Sequence, residues 1–148
     1  MKIRTEQVSD QEEEIVIRYH VMRPGIAEVI EYLEGLSPQI MGRRDEADYL
    51  LRPSDIYYFE SIENRTFVYQ KQDFYQCGLS LAAVEQKLES QGFFRCNKSM
   101  VVNIHHIASL KSEIGSRMNA TLDNGEHLII SRRYAKQLRE ILKGGTNR

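Results

Sequence analysis

Over residues 47–130 the chain cannot run far in any direction. Short apolar or β-branched runs at 47–51, 56–60, 66–70 and 74–77 are broken by Pro53-Ser54-Asp55, Glu63-Asn64-Arg65 and Lys71-Gln72-Asp73. Closely spaced strands with polar turns between them indicate antiparallel β structure. Ser80 then caps a helix over 81–88, with Leu81, Val84 and Leu88 on one side and Gly92 beyond its end. Two more apolar runs, 93–96 and 100–104, flank the polar triplet Asn97-Lys98-Ser99. The runs at 118–122 and 127–130 enclose Asp123-Asn124-Gly125, where Asn-Gly supplies the positive φ values of a hairpin turn. Ser131 opens a last helix that turns Tyr134, Leu138, Ile141 and Leu142 inward and Arg132, Arg133, Lys136, Arg139 and Lys143 outward. Gly144-Gly145 is expected to stop it.

The first 45 residues read differently. Met1 to Glu14 is polar and acidic, and order is expected only after it. The run at 15–20 suits a strand, and Pro24 marks the first turn of a helix reaching about Gly35. Ile26, Val29, Ile30 and Leu33 give that helix one apolar stripe, with Glu28, Glu31 and Glu34 opposite. Pro, Gly and charged residues over 37–48 read as a linker or exposed loop. The expected organisation is therefore a small N-terminal β-α unit at 1–45 and a mainly β (α+β) domain at 46–148. A chain of 148 residues accommodates one domain with a short appended unit.

Several function classes fall away. The longest uncharged apolar run is too short to cross a bilayer, and no leader with a cleavage site opens the chain, so a cytoplasmic location is expected. Cys77 and Cys96, the two cysteines, are expected as reduced, buried thiols. There is no GxSxG elbow, no phosphate-cradling glycine loop and no HExxH spacing. His105 and His106 are adjacent, so their side chains diverge and make a poor metal pair. The reading is no enzyme, no cofactor, no metal and no small-molecule substrate.

Net charge is −1, but it divides unevenly. Residues 1–48 hold six Lys or Arg against eleven Asp or Glu, and residues 49–148 hold fourteen against ten. A basic stretch joined to an acidic one suits a surface with one face offered to a polyanion, although ordinary solvated charge explains the division equally well. More telling are the cations placed at turns: Asn64 with Arg65, Asn97-Lys98-Ser99, and Ser131-Arg132-Arg133 leading to Lys136. Each mixes a cation with an amide or hydroxyl. Arg and Lys neutralise phosphates or grip guanine, Asn can read adenine, and Ser donates to phosphate.

The second and third of these turns lie in motifs similar to those of a known family. Phe93-Phe94-Arg95-Cys96-Asn97-Lys98-Ser99-Met100-Val101-Val102-Asn103, followed by Ile104 and Ile107, resembles the central motif of the LytTR-type DNA-binding domain of bacterial regulators. Leu128-Ile129-Ile130-Ser131-Arg132-Arg133-Tyr134 resembles that family's closing motif, and Ile56-Tyr57-Tyr58-Phe59-Glu60-Ser61 its opening strand. Three motifs in order, over about residues 46–143, are a specific match.

The resemblance implies an elongated antiparallel β fold with short helices, whose loops enter successive major grooves of double-stranded DNA. Carried over by position, it implies contacts from Asn64 or Arg65, from Lys98 with Ser99 and the neighbouring Asn97, and from Arg133 with Arg132 and Lys136 nearby. The chain departs from the family in having Asn97-Lys98 where His-Arg or His-Asn is common, so its base preference is expected to differ. The first 45 residues are too few for a phosphoacceptor receiver. The likeness is to short regulators without one, acting as a homodimer on DNA. Packing with a dimerisation role suits the N-terminal unit best, and contact with a membrane-protein regulator is a further role for it. A different class of function remains: a protein-interaction module, such as an antagonist of a related regulator, using the same basic loops.

Overall fold

A computed structural model describes residues 1–11, 13–36 and 38–146. Its elements are α1 (Pro24–Gly35), β1 (Ile40–Arg44), β2 (Ala47–Leu51), β3 (Tyr58–Ile62), β4 (Arg65–Tyr69), β5 (Phe74–Cys77), α2 (Leu81–Leu88), β6 (Phe93–Asn97), β7 (Met100–Asn103), β8 (Ile107–Ser112), β9 (Met118–Leu122), β10 (His127–Ile130) and α3 (Arg132–Thr146). The strands form a seven-stranded sheet in the order β2-β1-β5-β4-β3-β7-β6 and a three-stranded sheet in the order β10-β9-β8. Every pairing is antiparallel. The fold is thus mainly β with short helices, as the sequence indicates.

Alternation along the strands sends side chains to two cores. Phe59, Val68 and Val101 point to one face, where Ile40, Ile56 and the α2 residues Val84 and Leu88 join them with no exposed surface. Tyr58, Phe94 and Val102 point to the other, against Leu122, Leu128 and Ile130 of the smaller sheet and Ala135 and Leu138 of α3. The larger sheet is therefore covered on both faces. Each fully buried Phe or Leu contributes about 1.5–3 kcal/mol relative to exposure. Ser80 caps α2 as expected, its hydroxyl accepting from Ala83 N at 3.1 Å.

Turn chemistry fixes the registers. Glu63 and Asn64, at φ 50° and 64°, close a two-residue turn between the paired Ile62 and Arg65. Asp45 and Glu46, at 51° and 63°, do the same between Arg44 and Ala47. The β9–β10 turn is of another kind. Gly125 N donates to Leu122 O at 2.9 Å and only Gly125, at φ 91°, takes a positive φ, so Asn124 keeps its side chain for Glu126 N and the Lys71 carbonyl.

Several expectations change. Residues 15–20 form no strand: Ile15 and Val16 are exposed, and without a neighbour to pair its N–H and C=O groups a β-prone run gains nothing from extension. The N-terminal β-α unit is thus reduced to its helix, in which Ile26 is buried but Val29 is not. The stretch expected as a linker instead holds β1, which pairs with β2 and β5, so the boundary expected near residue 45 falls inside a hairpin. Gly42, a loop signal in the sequence, is a packing residue here. A Cβ there would stand 2.8 Å from the Tyr75 Cβ and from Leu51 Cδ1. Finally, α3 continues through Gly144-Gly145, since glycine weakens a helix by only about 1 kcal/mol and does not bar it. Its buried stripe is Ala135 and Leu138, with Leu142 partly covered and Ile141 outside.

Candidate nucleic-acid interface

Strand register brings the three basic turns to one end of the molecule. β3 ends and β4 begins at the Glu63-Asn64 turn, and because Glu60 pairs with Met100, the β6–β7 turn at Lys98-Ser99 lies beside it. Ser61 N donates to the Ser99 carbonyl at 2.8 Å, joining the first two turns directly. The third is joined to the second through β6. Ser131 N donates to Cys96 O at 2.9 Å, and Asn97 Nδ2 donates to Ile129 O at 2.9 Å. Asn64, Arg65, Lys98 and Ser99 therefore share one end of the sheet, and α3, which carries Arg132, Arg133 and Lys136, starts beside the second turn, a placement that their separation in sequence conceals.

Their local settings differ. Asn64 sits at the turn tip with φ 64°, a conformation that Asn tolerates better than most residues. Arg65 is not in the turn but is the exposed first residue of β4. Lys98 is exposed and Ser99 half-buried, its N–H and hydroxyl both donating to Asn97 Oδ1, at 2.9 and 3.2 Å. Asn97 is thus drawn into the protein. Arg132, Arg133 and Lys136 are exposed on the first turns of α3, and the Arg133 guanidinium lies 5.3 Å from the Tyr134 ring centre, a cation–π placement that restrains it. Tyr134 in turn meets Phe94 edge-on at 6.2 Å.

Sequence reasoning gave no role to Arg95. It pairs with Glu85 of α2 at 2.8 Å and reaches the carbonyls of Asn97 and Lys98 at 2.9 and 2.6 Å. It precedes a bulge in β6, a feature of strand register that sequence alone does not supply.

The opposite end of the sheet has another chemistry. There the Asp45-Glu46 turn, Asp73 and Asp123 gather, with Arg44 bound to Asp73 at 3.1 Å. His106 stacks on Tyr57 with ring centres 3.9 Å apart, its Nδ1 2.9 Å from Asp123 Oδ2 and its Nε2 2.7 Å from the Ser54 carbonyl. The hydrogen bond to Asp123 pushes the Tyr57 phenol up to about 12. The same bond, together with the one from His106, holds the Asp123 carboxyl below its ordinary range. Burial raises both Cys77 and Cys96, the latter to about 12, as unreactive thiols. No helix among the described residues is long and apolar enough to cross a membrane.

Comparison with known proteins places the fold in a family. The family model of the LytTr DNA-binding domain matches residues 46–143, which carry all three basic turns. The chain belongs to the LytTr DNA-binding domain family. Among LytTr relatives, the sensory transduction protein LytT of Bacillus cereus is 28% identical over 99 residues, covering 67% of this chain and 40% of that protein. The transcriptional regulatory protein YpdB of Escherichia coli K12 is 28% identical over 100 residues, covering 67% and 41% respectively. The chain thus spans about two fifths of the length of these curated relatives. A solved LytTr DNA-binding domain from Bacillus cereus superposes with a TM-score of 0.67 at 26% identity, over 70% of this chain and 95% of that one.

Proposed function

We propose that this protein is a sequence-specific transcription regulator that grips double-stranded DNA by its three basic turns, each entering a successive major groove. The observation that carries this reading is the gathering of those turns at one end of the sheet, tied by backbone hydrogen bonds from Ser61 to Ser99 and from Ser131 to Cys96. The YpdB and LytT relatives, named as regulatory and sensory proteins, support it. Arg133 grips a guanine or a phosphate from a restrained rotamer. Lys98 and Arg65 neutralise phosphate, while Asn64, Ser99, Arg132 and Lys136 complete the surface around them, with Asn97 beside the second turn. Two protomers occupy paired sites as a homodimer in the cytoplasm, and the part of the N-terminal unit ahead of β1 is held off the duplex for packing and dimerisation. That segment is also where a membrane-protein regulator would dock. No catalytic step is involved.

The test is a titration of duplex DNA carrying fragments selected from the source genome, repeated across salt. Neutralising about six phosphates gives a log–log salt slope on the order of −5. Arg133→Ala is expected to weaken binding by about 1–3 kcal/mol if the contact is bidentate. Binding no better than nonspecific background at low salt contradicts the reading and favours a protein-interaction module using the same loops.

A further inference from the structure

We propose that Arg95 and Asn97 are positioning residues that touch no DNA and instead lock the second and third turns into one rigid reading unit. The inference rests on the reading of those turns as DNA contacts. By residue type both look like contacts themselves: a cation and an amide, next to Lys98, at the end that faces the polyanion. Their hydrogen bonds say otherwise.

The Arg95 guanidinium is engaged at all three nitrogens. Nε donates to Asn97 O at 2.9 Å, Nη2 to Lys98 O at 2.6 Å and Nη1 to Glu85 Oε2 at 2.8 Å. Its side chain is 21% exposed, and its charge is balanced by Glu85. A guanidinium is planar, with donors in a fixed fork, so bonding two successive carbonyls and a carboxylate sets the path of the backbone around Lys98. The bulge between Arg95 and Asn97 leaves Cys96 out of the ladder, where its carbonyl accepts from Ser131 N, and the Arg95 fork holds the turn that follows.

Asn97 completes the unit. A side-chain amide reads adenine with one acceptor and one donor presented together. In Asn97 the acceptor Oδ1 receives both Ser99 N and Ser99 Oγ, and the donor Nδ2 serves Ile129 O on β10. The amide therefore spans from the second turn to the strand that leads into Ser131 and Arg133. Lys98 and Arg133 are held at a fixed separation, so the ordering cost of two loops is met in folding and not on binding.

Arg95→Lys and Asn97→Ala test this, with affinity, base preference and thermal unfolding measured on the full chain. A lysine in place of Arg95 keeps the charge but cannot fork, so Arg95→Lys is expected to weaken binding on the order of tenfold, as one charged hydrogen-bond network is lost. The same change made in a Lys98→Ala, Ser99→Ala background is expected to have little further effect, because Arg95 acts through that turn. Wild-type affinity in Arg95→Lys, or a full additive loss in the double background, overturns the proposal. Asn97→Ala is expected to lower affinity while leaving the preferred base at every operator position unchanged. Relaxed preference at a single base pair would make Asn97 a reader and overturn its assignment. Failure of the unsubstituted chain to bind duplex DNA is a separate result, which removes the underlying reading.

Discussion

At the scale of single residues, the far end of the sheet offers the clearest electrostatic test. Tyr57 and His106 both bond to the Asp123 carboxylate, and those bonds hold its pKa below the ordinary range. A carboxyl depressed in the folded state adds stability above its unfolded pKa of about 4 and loses that contribution as pH falls through the folded value. Asp123→Asn is therefore expected to be less stable than the parent at pH 7, with the difference shrinking by pH 3. Urea unfolding at the two pH values measures this, and an equal difference at both contradicts a role for the ionised carboxylate. Tyr57 has the opposite sign. Its stabilising share is complete below about pH 10 and is lost only as pH rises through about 12, so it does not blur the acid comparison. The candidate residues could be picked out in the sequence, Lys98 and Arg133 by motif and Asn64 and Arg65 by their chemistry at a turn. The division of labour between Lys98 and its neighbours Arg95 and Asn97 could not be read there, because it depends on where hydrogen bonds go after folding.

Among the elements, α3 carries the heaviest demand, since it presents Arg132, Arg133 and Lys136 while packing against β6. Leu138 has no exposed surface and sits with Ala135, Phe94 and Ile130 in the second core. Leu138→Ala is expected to cost about 2–5 kcal/mol through the cavity it leaves. The denaturant midpoint should fall while the slope stays constant, and a loss below about 1 kcal/mol would mean that α3 is not seated as described. Elements with a strong periodic signal and a local turn signature were readable from sequence: β2, β5, α2, β9 and β10 lie where the pattern puts them. The missed strands fail for a physical reason. β8 alternates weakly and is largely exposed, and β1 contains Gly42 and two arginines, so each owes its strand conformation to a neighbour's hydrogen bonds and not to its own residues. The run at 15–20 is the converse case, strand-prone residues without a neighbour.

For the whole molecule, where a charge falls on the surface is set by register and not by position along the chain. The sequence division into an acidic first third and a basic remainder suits a segregated surface but does not say which charges share an end of the sheet. Asp73 and Asp123 lie within the basic stretch of sequence, yet they fold to the end away from Arg65, Lys98 and Arg133. Antiparallel pairing causes this, because alternate turns of a meander fall at opposite ends and only the register says which turns share one. If DNA is received at one end of the sheet and not the other, backbone amide chemical shifts mapped during titration with a short duplex at moderate salt will be asymmetric. Perturbations are expected at residues 63–65, 97–99 and 131–136, with turns 45–46, 71–73 and 123–125 unmoved. Shifts centred on those latter turns, or spread evenly over both ends, would contradict binding through the basic turns.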